Sequence, residues 1–150
     1  MTLEGLLRAG RLSEHDAAGD EISRLLESAE RALRDAGTDG LGADSRLGLA
    51  YQAIAQGAVA ALLANGYRAA TRDPAHHQLL IQSLLKTGGI PAGRVQFLEA
   101  LRAARDRSES SGVPVSDAVA EEGIDAAREL IASVRDWIQL NRPDLVSAAA

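Results

Sequence analysis

The segment DSRLGLAYQAIAQGAVAALLANG, residues 44–66, decides the fold. Apolar side chains recur along it at helical spacing from Leu47 to Leu62, and small residues fill most of the other positions. A helix that is apolar or small all round is buried on every side, because a solvent-facing helix needs a polar face. We therefore expect a central helix that begins with Asp44 as its N-cap and stops at Gly66.

Helical patterns flank this segment on both sides, with a short helical start before them. On the N-terminal side, Ser13 has the character of an N-cap, and Gly37 is expected to end the helix in a left-handed conformation. On the C-terminal side, Pro74 is the expected first residue of a fourth helix and Pro91 starts a fifth. Ser116 is the expected N-cap of the last helix. No segment alternates convincingly with period two, so we expect no strand.

These patterns predict an all-α fold, an up-and-down helical bundle of four long helices plus one or two short helices. The length of 150 residues fits one domain, residues 1–150. We expect its core to cover residues 13–142 and residues 143–150 to form a flexible tail.

Composition excludes several classes of function. The chain has no cysteine, which rules out thiolate chemistry and disulfides. The net charge is −5, which excludes a uniformly basic nucleic-acid surface, and 3% aromatic residues provide no stacking platform for single strands. The sequence has no run of about 18 apolar residues, which is the length that predicts a membrane span. No secretion signal follows Met1, so we expect no membrane partner and a cytoplasmic location.

A cation is expected on an apolar stripe in the fifth helix. Leu98, Leu101 and Arg105 follow the spacing of a single helix face, so the guanidinium should point toward the buried seam. An isolated buried charge is prohibitive, so Arg105 must be paired or open to a cleft. Two interpretations therefore stay open, a functional cleft or a structural pair with a carboxylate such as Asp44 or Glu109.

The histidines do not have the spacing of a metal site. His76 and His77 are neighbours in the fourth helix, so their rings project about 100° apart, unlike the i, i+4 pair of a helical zinc site. His15 lies far away in sequence. We therefore expect no metal and no cofactor. One ring is expected to pack under the loop at Tyr67 while the other is solvated, and a role as acid or base near a polar cleft is the alternative.

Four stretches of the chain resemble the HEPN superfamily of small helical-bundle proteins. They are Leu47 to Tyr51 with Ala53, Asn65 to Arg68, Pro74 to Leu80, and Arg102 to Arg107. The resemblance covers about residues 13 to 140. It implies a helical bundle that pairs as a symmetric homodimer, often in toxin–antitoxin, phage-defence or RNA-processing systems.

The resemblance also implies which residues would carry chemistry. Members that cleave RNA do so without metal, using an Arg, a polar residue beside it and a His a few residues further along. Arg105 and Asp106 match the first two positions, but the place of the His holds Ser110, Ser111 and Gly112. Cleavage through the 2′-hydroxyl requires a general base and a general acid. The missing imidazole therefore favours a module without ribonuclease activity.

The leading hypothesis is a HEPN-like module that forms a homodimer and binds a partner, either a nucleotidyltransferase or RNA, without metal-dependent chemistry. Arginine suits such a role because its planar guanidinium binds phosphate or carboxylate through two hydrogen bonds. The expected RNA-binding or partner-binding residues are Arg102, Arg105, Arg107, Tyr67 and Arg68.

Two alternatives stay open. In the first, the chain is an active metal-independent endoribonuclease in which Arg105 binds the scissile phosphate beside Asp106, and His76 or His77 replaces the missing base. In the second, it is a purely structural bundle that assembles with other chains through Ala-rich faces. Replacing Arg105 with Ala separates the three hypotheses, because it would weaken partner binding, abolish cleavage or leave assembly unchanged, respectively.

Overall fold

The computed structural model of the chain describes residues 2–70 and 75–146. Within them the chain folds into an all-α bundle of four long and two shorter helices, as the sequence predicts, with one small sheet. The elements in chain order are α1 (Leu3–Arg8), β1 (Leu12–Glu14), α2 (Gly19–Ala36), α3 (Ala43–Ala64), β2 (Tyr67–Ala69), α4 (His76–Thr87), α5 (Ala92–Ser111), α6 (Asp117–Asn141) and a 3-10 turn (Pro143–Leu145).

The central helix is α3, and α2, α4, α5 and α6 all pack against it. Its buried residues include Leu47, Ile54 and Leu62 and cover its surface except for one stripe around the exposed Gln52. Small residues allow close approach of a neighbour. Gly57 faces α6 so closely that a Cβ atom at this position would lie 2.8 Å from Ile131 Cδ1. The prediction of a buried central helix is therefore confirmed.

The composition of α3 has a second consequence. By length and composition alone, α3 is apolar enough to cross a membrane, although the sequence analysis expects no such segment. However, 67% of its most apolar window is buried inside the protein. Packing against the neighbouring helices therefore accounts for its apolar composition.

The neighbours of α3 run in different directions. The Gln56 amide donates to Ser28 Oγ at 2.9 Å, and Arg46 Nε donates to the Ala36 carbonyl at 3.1 Å. Residue numbers thus rise along α3 where they fall along α2, so these two helices are antiparallel.

By contrast, α4 runs parallel to α3, although the two follow each other in the chain. Tyr51 in the middle of α3 meets His77 at the start of α4, and Asn65 at the end of α3 meets Thr87 at the end of α4. The connection after α3 therefore returns the chain before α4 begins. Strict up-and-down order holds for the four long helices but not for this inserted shorter one.

The small sheet corrects the expectation that the chain has no strand. β1 pairs with β2 in antiparallel register, with Ser13 opposite Arg68. Ser13 is therefore a strand residue, and its prediction as an N-cap is wrong. Instead α2 begins at Gly19, where the Glu21 carboxylate accepts a hydrogen bond from the Ala18 N–H at 3.0 Å. The distant segment at Arg68 supplies backbone partners that local patterns do not reveal.

Several predicted helix ends are confirmed. Ser116 caps α6, since its hydroxyl accepts a hydrogen bond from the Val119 N–H at 3.1 Å. Gly66, just after α3, has a φ of +89° in the left-handed region. Pro91 immediately precedes α5 as its N-cap residue. The expected start of the fourth helix at Pro74 lies outside the described residues.

Two predicted ends differ. Gly37 has a φ of −85°, so α2 ends there without a left-handed residue. Gly42, rather than Asp44, is the N-cap of α3. The Asp44 carboxylate instead accepts a hydrogen bond from the Val115 N–H at 2.9 Å, which ties the start of α3 to the segment before α6. The Asp44 carboxylate is therefore bound to a distant backbone donor and does not cap α3.

The buried core extends past residues 13 and 142 at both ends. Leu6 and Leu12 are buried on the N-terminal side, and Leu145 is buried on the C-terminal side at 5% exposure. The Leu145 carbonyl oxygen approaches Gly19 so closely that a Cβ atom there would lie 3.0 Å from it. The first residues of the expected tail are thus packed against α2, whereas residues 147–150 lie outside the described part of the chain.

Candidate functional site

Arg105 lies in the second half of α5, one turn beyond the buried Leu101. Its guanidinium carbon is 4.9 Å from the centre of the Tyr51 ring on α3, within the range of a cation–π contact. The side chain is 26% exposed. The side chain of Arg105 thus turns toward the bundle, as the helical spacing predicts, while its charged end reaches the surface.

Tyr51 connects this guanidinium to α4. Its hydroxyl is 3.0 Å from His77 Nδ1, and the two ring centres are 5.7 Å apart. Burial raises the pKa of Tyr51 to about 12, which keeps the phenol protonated. His77 is an exposed residue, and the partial desolvation of its ring, followed by the charges of His76 and Arg105, lowers its pKa below the usual 6.5. The imidazole is therefore neutral at neutral pH, and its tautomer decides which partner donates.

Carboxylates surround the two inner arginines of α5. Arg102 pairs with Glu99, and its Nη1 lies 2.7 Å from an Asp106 carboxylate oxygen. Arg105 lies 3.1 Å from Glu109 and 3.4 Å from Asp106. Of the two carboxylates named for Arg105 in the sequence analysis, Glu109 is the partner, because Asp44 is bound elsewhere. We call Tyr51, His77, Glu99, Arg102, Arg105, Asp106 and Glu109 the Arg105 cluster.

The electrostatic balance of the Arg105 cluster is close to neutral. Burial opposes the charge on Arg102, but the hydrogen bond from Arg102 to Glu99 and the nearby carboxylates outweigh it and raise the pKa of Arg102. Arg107 lies on the exposed side of α5, away from the paired side chains. Each inner guanidinium is therefore held by carboxylates.

The other predicted site residues lie at a second location. Tyr67 and Arg68 belong to β2, and they line a cavity between α2, α3 and α4. His76 also lines this cavity, where its Nδ1 lies 3.3 Å from the Ala70 carbonyl oxygen. Because a carbonyl only accepts, Nδ1 carries the proton and Nε2 is the acceptor in the neutral ring. The predicted residues thus fall into two groups rather than one.

The two histidines join these groups. The His76 and His77 rings meet edge to face with their centres 5.6 Å apart. His77, rather than His76, contacts Tyr51 beneath Arg105. Tyr51 is not among the site residues expected from the sequence, and His77 is expected there only as the alternative to His76 for the missing base. Their only signal is chemical, a tyrosine on a helix of small residues and a histidine next to another, since no local spacing links positions on separate helices.

The positions where the superfamily has its His have a structural role. Ser110 Oγ donates to the Asp106 carbonyl at 2.7 Å, a bond within α5 itself. Gly112 follows the helix with a φ of +67°, as its C-cap. Among residues 2–70 and 75–146, no group of three His, Asp or Glu side chains could hold a metal ion. Within this part of the chain, the Arg105 cluster can thus offer a neutral imidazole, a phenol and two paired guanidinium groups.

No protein-family model matches the chain, and no curated protein matches it.

Proposed function

We propose that this chain is a HEPN-like helical module that pairs with a second copy and binds a protein partner of the nucleotidyltransferase kind. It acts as a non-catalytic component of a toxin–antitoxin or defence-type system. The observation that carries the proposal is the stacking of Arg105 on Tyr51, which fixes the arginine of the superfamily-like motif at a partly exposed surface. A side chain held in place loses little conformational entropy when a partner binds to it.

The charge balance favours a protein partner over RNA. RNA binding draws its affinity from cations that replace the counterions of phosphates. In the Arg105 cluster, Arg102 and Arg105 are already paired with Glu99, Asp106 and Glu109. A paired guanidinium offers a phosphate little uncompensated charge. Alternating charges instead suit a protein surface with a complementary pattern.

Exposed apolar side chains near the same helices add to this argument. Phe97 on α5 is 42% exposed, and Leu85 on α4 is 39% exposed. Large apolar and aromatic side chains supply much of the binding energy in protein interfaces. They contribute little to binding a phosphate backbone.

The test is co-expression of this chain with the products of its neighbouring genes, followed by purification and light scattering. We expect the chain and its partner to form a complex of fixed stoichiometry. For the chain alone, we expect a mass in solution that is twice the mass of one copy. Arg105→Ala should weaken the complex by about tenfold, whereas Arg128→Ala on α6 should leave it unchanged. Tight RNA binding without a protein partner would overturn the choice of partner. If the Arg105→Ala variant assembles as the wild type does, this result would favour a purely structural bundle.

A metal-independent endoribonuclease is the second candidate, and the position of His77 favours it. A general base must be unprotonated near its operating pH, and the lowered pKa of His77 meets this condition. His77 also belongs to the same cluster as Arg105, the residue that would bind the scissile phosphate.

Incubation of the purified chain with total RNA in EDTA tests this candidate. Under it, cleavage is lost in Arg105→Ala and in His77→Gln, while His76→Gln retains activity because His76 lines the separate cavity. Intact RNA after incubation with the wild-type chain would reject the ribonuclease and leave the binding module.

A further inference from the structure

A cavity lined by none of the residues of the Arg105 cluster lies between α2, α3, β2 and α4. Its volume is about 760 Å³, within the range of small-molecule sites. One part of its wall is aliphatic and consists of Leu25, Val59, Leu62, Leu63 and Leu80. An open cavity of this size and lining removes apolar ligand surface from water, which favours binding.

The rim of this cavity is cationic. Arg24, Arg31 and Arg68 line it, and all three side chains are exposed. Arg24 is paired with Asp20 at 2.9 Å, whereas no ion pair joins Arg31 or Arg68 to another described residue. Hydrogen bonds from the Ala18 N–H and His15 lower the pKa of Glu21, the one acidic residue in the described lining, and the charge of Arg68 adds to this effect. Two guanidinium groups therefore remain to bind an anion at the mouth.

A side-chain amide in the cavity wall has one polar atom without a hydrogen-bond partner. Gln56 lines the cavity, and its Nε2 donates to Ser28 Oγ at 2.9 Å. Its Oε1 is buried and has no hydrogen-bond partner among the described residues. If the amide is turned over, the hydroxyl donates to the oxygen and the buried NH2 is left unpaired instead. An unpaired buried polar group is costly, so either orientation leaves one unsatisfied group on a residue of the cavity wall.

We propose that this cavity binds an amphipathic organic anion, a molecule whose apolar body fills the aliphatic pocket and whose terminal oxyanion pairs with Arg31 and Arg68. A carboxylate and a phosphate monoester share this chemistry. The inference is independent of the proposed function, because the cavity uses none of the residues of the Arg105 cluster. It also gives Arg68 and Tyr67 a role in small-molecule binding rather than in contacts with RNA.

Calorimetric titration with decanoate, decyl phosphate and decanol tests the proposal and separates the two anion types. We expect saturable binding of at least one anion at concentrations below about 1 mM, and binding of decanol about tenfold weaker. The exposed double variant Arg31→Gln/Arg68→Gln should weaken anion binding by about tenfold or more. The matched control is Arg8→Gln/Arg34→Gln, which removes the same charge from exposed positions outside this cavity and should bind as the wild type does.

A second readout locates the bound anion. The ring resonances of His76, a lining residue, should shift in proportion to saturation. Three results would each overturn the proposal: no saturable binding of either anion, equal affinity for decanol, or equal weakening in the two double variants.

Discussion

Tyr51 is the residue at which three helices meet. Its ring on α3 carries the guanidinium of Arg105 from α5, and its hydroxyl contacts the imidazole of His77 from α4. A tyrosine can do both because its ring face attracts cations while its hydroxyl forms hydrogen bonds. Any partner or substrate that displaces Arg105 therefore alters the electrostatic surroundings of His77.

The titration of His77 reports this coupling. Partial desolvation of its ring is the main cause of its lowered pKa, and the charges of His76 and Arg105 add to it. Arg105→Ala removes one of these charges, so we expect the pKa of His77 to rise toward 6.5. The measurement is an NMR titration of the ring protons. Arg107→Ala, which removes an exposed charge from the same helix, is the control, and an equal rise in both variants would contradict the coupling.

The lowered pKa of His77 also predicts how stability depends on pH. Between the folded-state value and 6.5, the unfolded chain binds more protons at this site than the folded chain. The contribution of His77 is therefore present above pH 6.5 and is lost as the pH falls below it. We expect His77→Gln to flatten this part of the profile of unfolding free energy against pH. A profile as steep as that of the wild type would show that other groups dominate.

Asn65 joins the ends of two helices with a single amide group. Its Nδ2 donates to the Ala61 carbonyl of its own helix and to the Thr87 carbonyl at the end of α4. Thr87 is fully buried, so its carbonyl would lose a partner that water cannot easily replace. We expect Asn65→Ala to cost about 1–3 kcal/mol in unfolding free energy.

Asn141 provides a matched control for this bond between helices. Its Nδ2 donates only to Trp137 O, four residues back, in an exposed position. Asn141→Ala should therefore change the unfolding free energy by less than about 0.5 kcal/mol. Chemical denaturation of both variants makes the comparison. Equal losses would mean that the bond from Asn65 to α4 contributes nothing.

At the scale of elements, the sequence predicts α3 well and its connections poorly. The central position of α3 follows from its composition between Leu47 and Leu62, where only Gln52 and Gln56 interrupt the apolar and small residues. The strands around Ser13 and Arg68 are only three residues long, too short for an alternating pattern to emerge. The cap at Asp44 fails for a related reason, since a backbone donor 71 residues away takes its carboxylate. The sequence therefore predicts local features of a helix, but it does not predict which distant residues will contact it.

The contact between α3 and α6 depends on a glycine. A Cβ atom at Gly57 would lie 2.8 Å from Ile131 Cδ1 and 3.6 Å from Leu130 Cδ2. Alanine is the better helix former by about 1 kcal/mol, but overpacking a core costs about 1–3 kcal/mol. We expect Gly57→Ala to lower the unfolding free energy by about 1 kcal/mol. Adding Ile131→Val removes the clashing methyl group, so the double variant should lose less than the sum of the two single variants in thermal or chemical denaturation.

Gly48 provides the opposite case within the same helix. A Cβ atom there meets nothing within 4 Å, so only the helix propensity changes. Gly48→Ala should therefore raise the unfolding free energy by about 0.5–1 kcal/mol. If both glycine variants changed stability in the same direction, packing against α6 would not be what distinguishes the two positions.

At the scale of the whole molecule, helical periodicity predicts the bundle but not the assembly of its site. The spacing of Leu98, Leu101 and Arg105 predicts that the guanidinium turns inward. The partner that it meets, Tyr51, depends on how α5 crosses α3, and His77 depends on α4 being parallel to α3. The crossing of α5 over α3 and the direction of α4 both depend on the connections between helices, and hydrophobic periodicity does not predict the geometry of these connections. The same limit explains why the expected site residues divide between the Arg105 cluster and the cavity.

The C-terminal turn closes the molecule and carries the last prediction. Leu145 is 5% exposed and packs against the core near the start of α2, where a flexible tail was expected. Removing a buried leucine side chain costs its transfer free energy plus that of the cavity left behind. Because this site is at the edge and can relax, we expect Leu145→Ala to cost about 2 kcal/mol, near the lower end of such substitutions. Leu140→Ala, at a position 82% exposed, should change the unfolding free energy by less than about 0.5 kcal/mol. Equal and negligible effects in chemical denaturation would mean that the segment after α6 adds nothing to the fold, whereas a loss confined to Leu145→Ala makes it a structural part of the bundle.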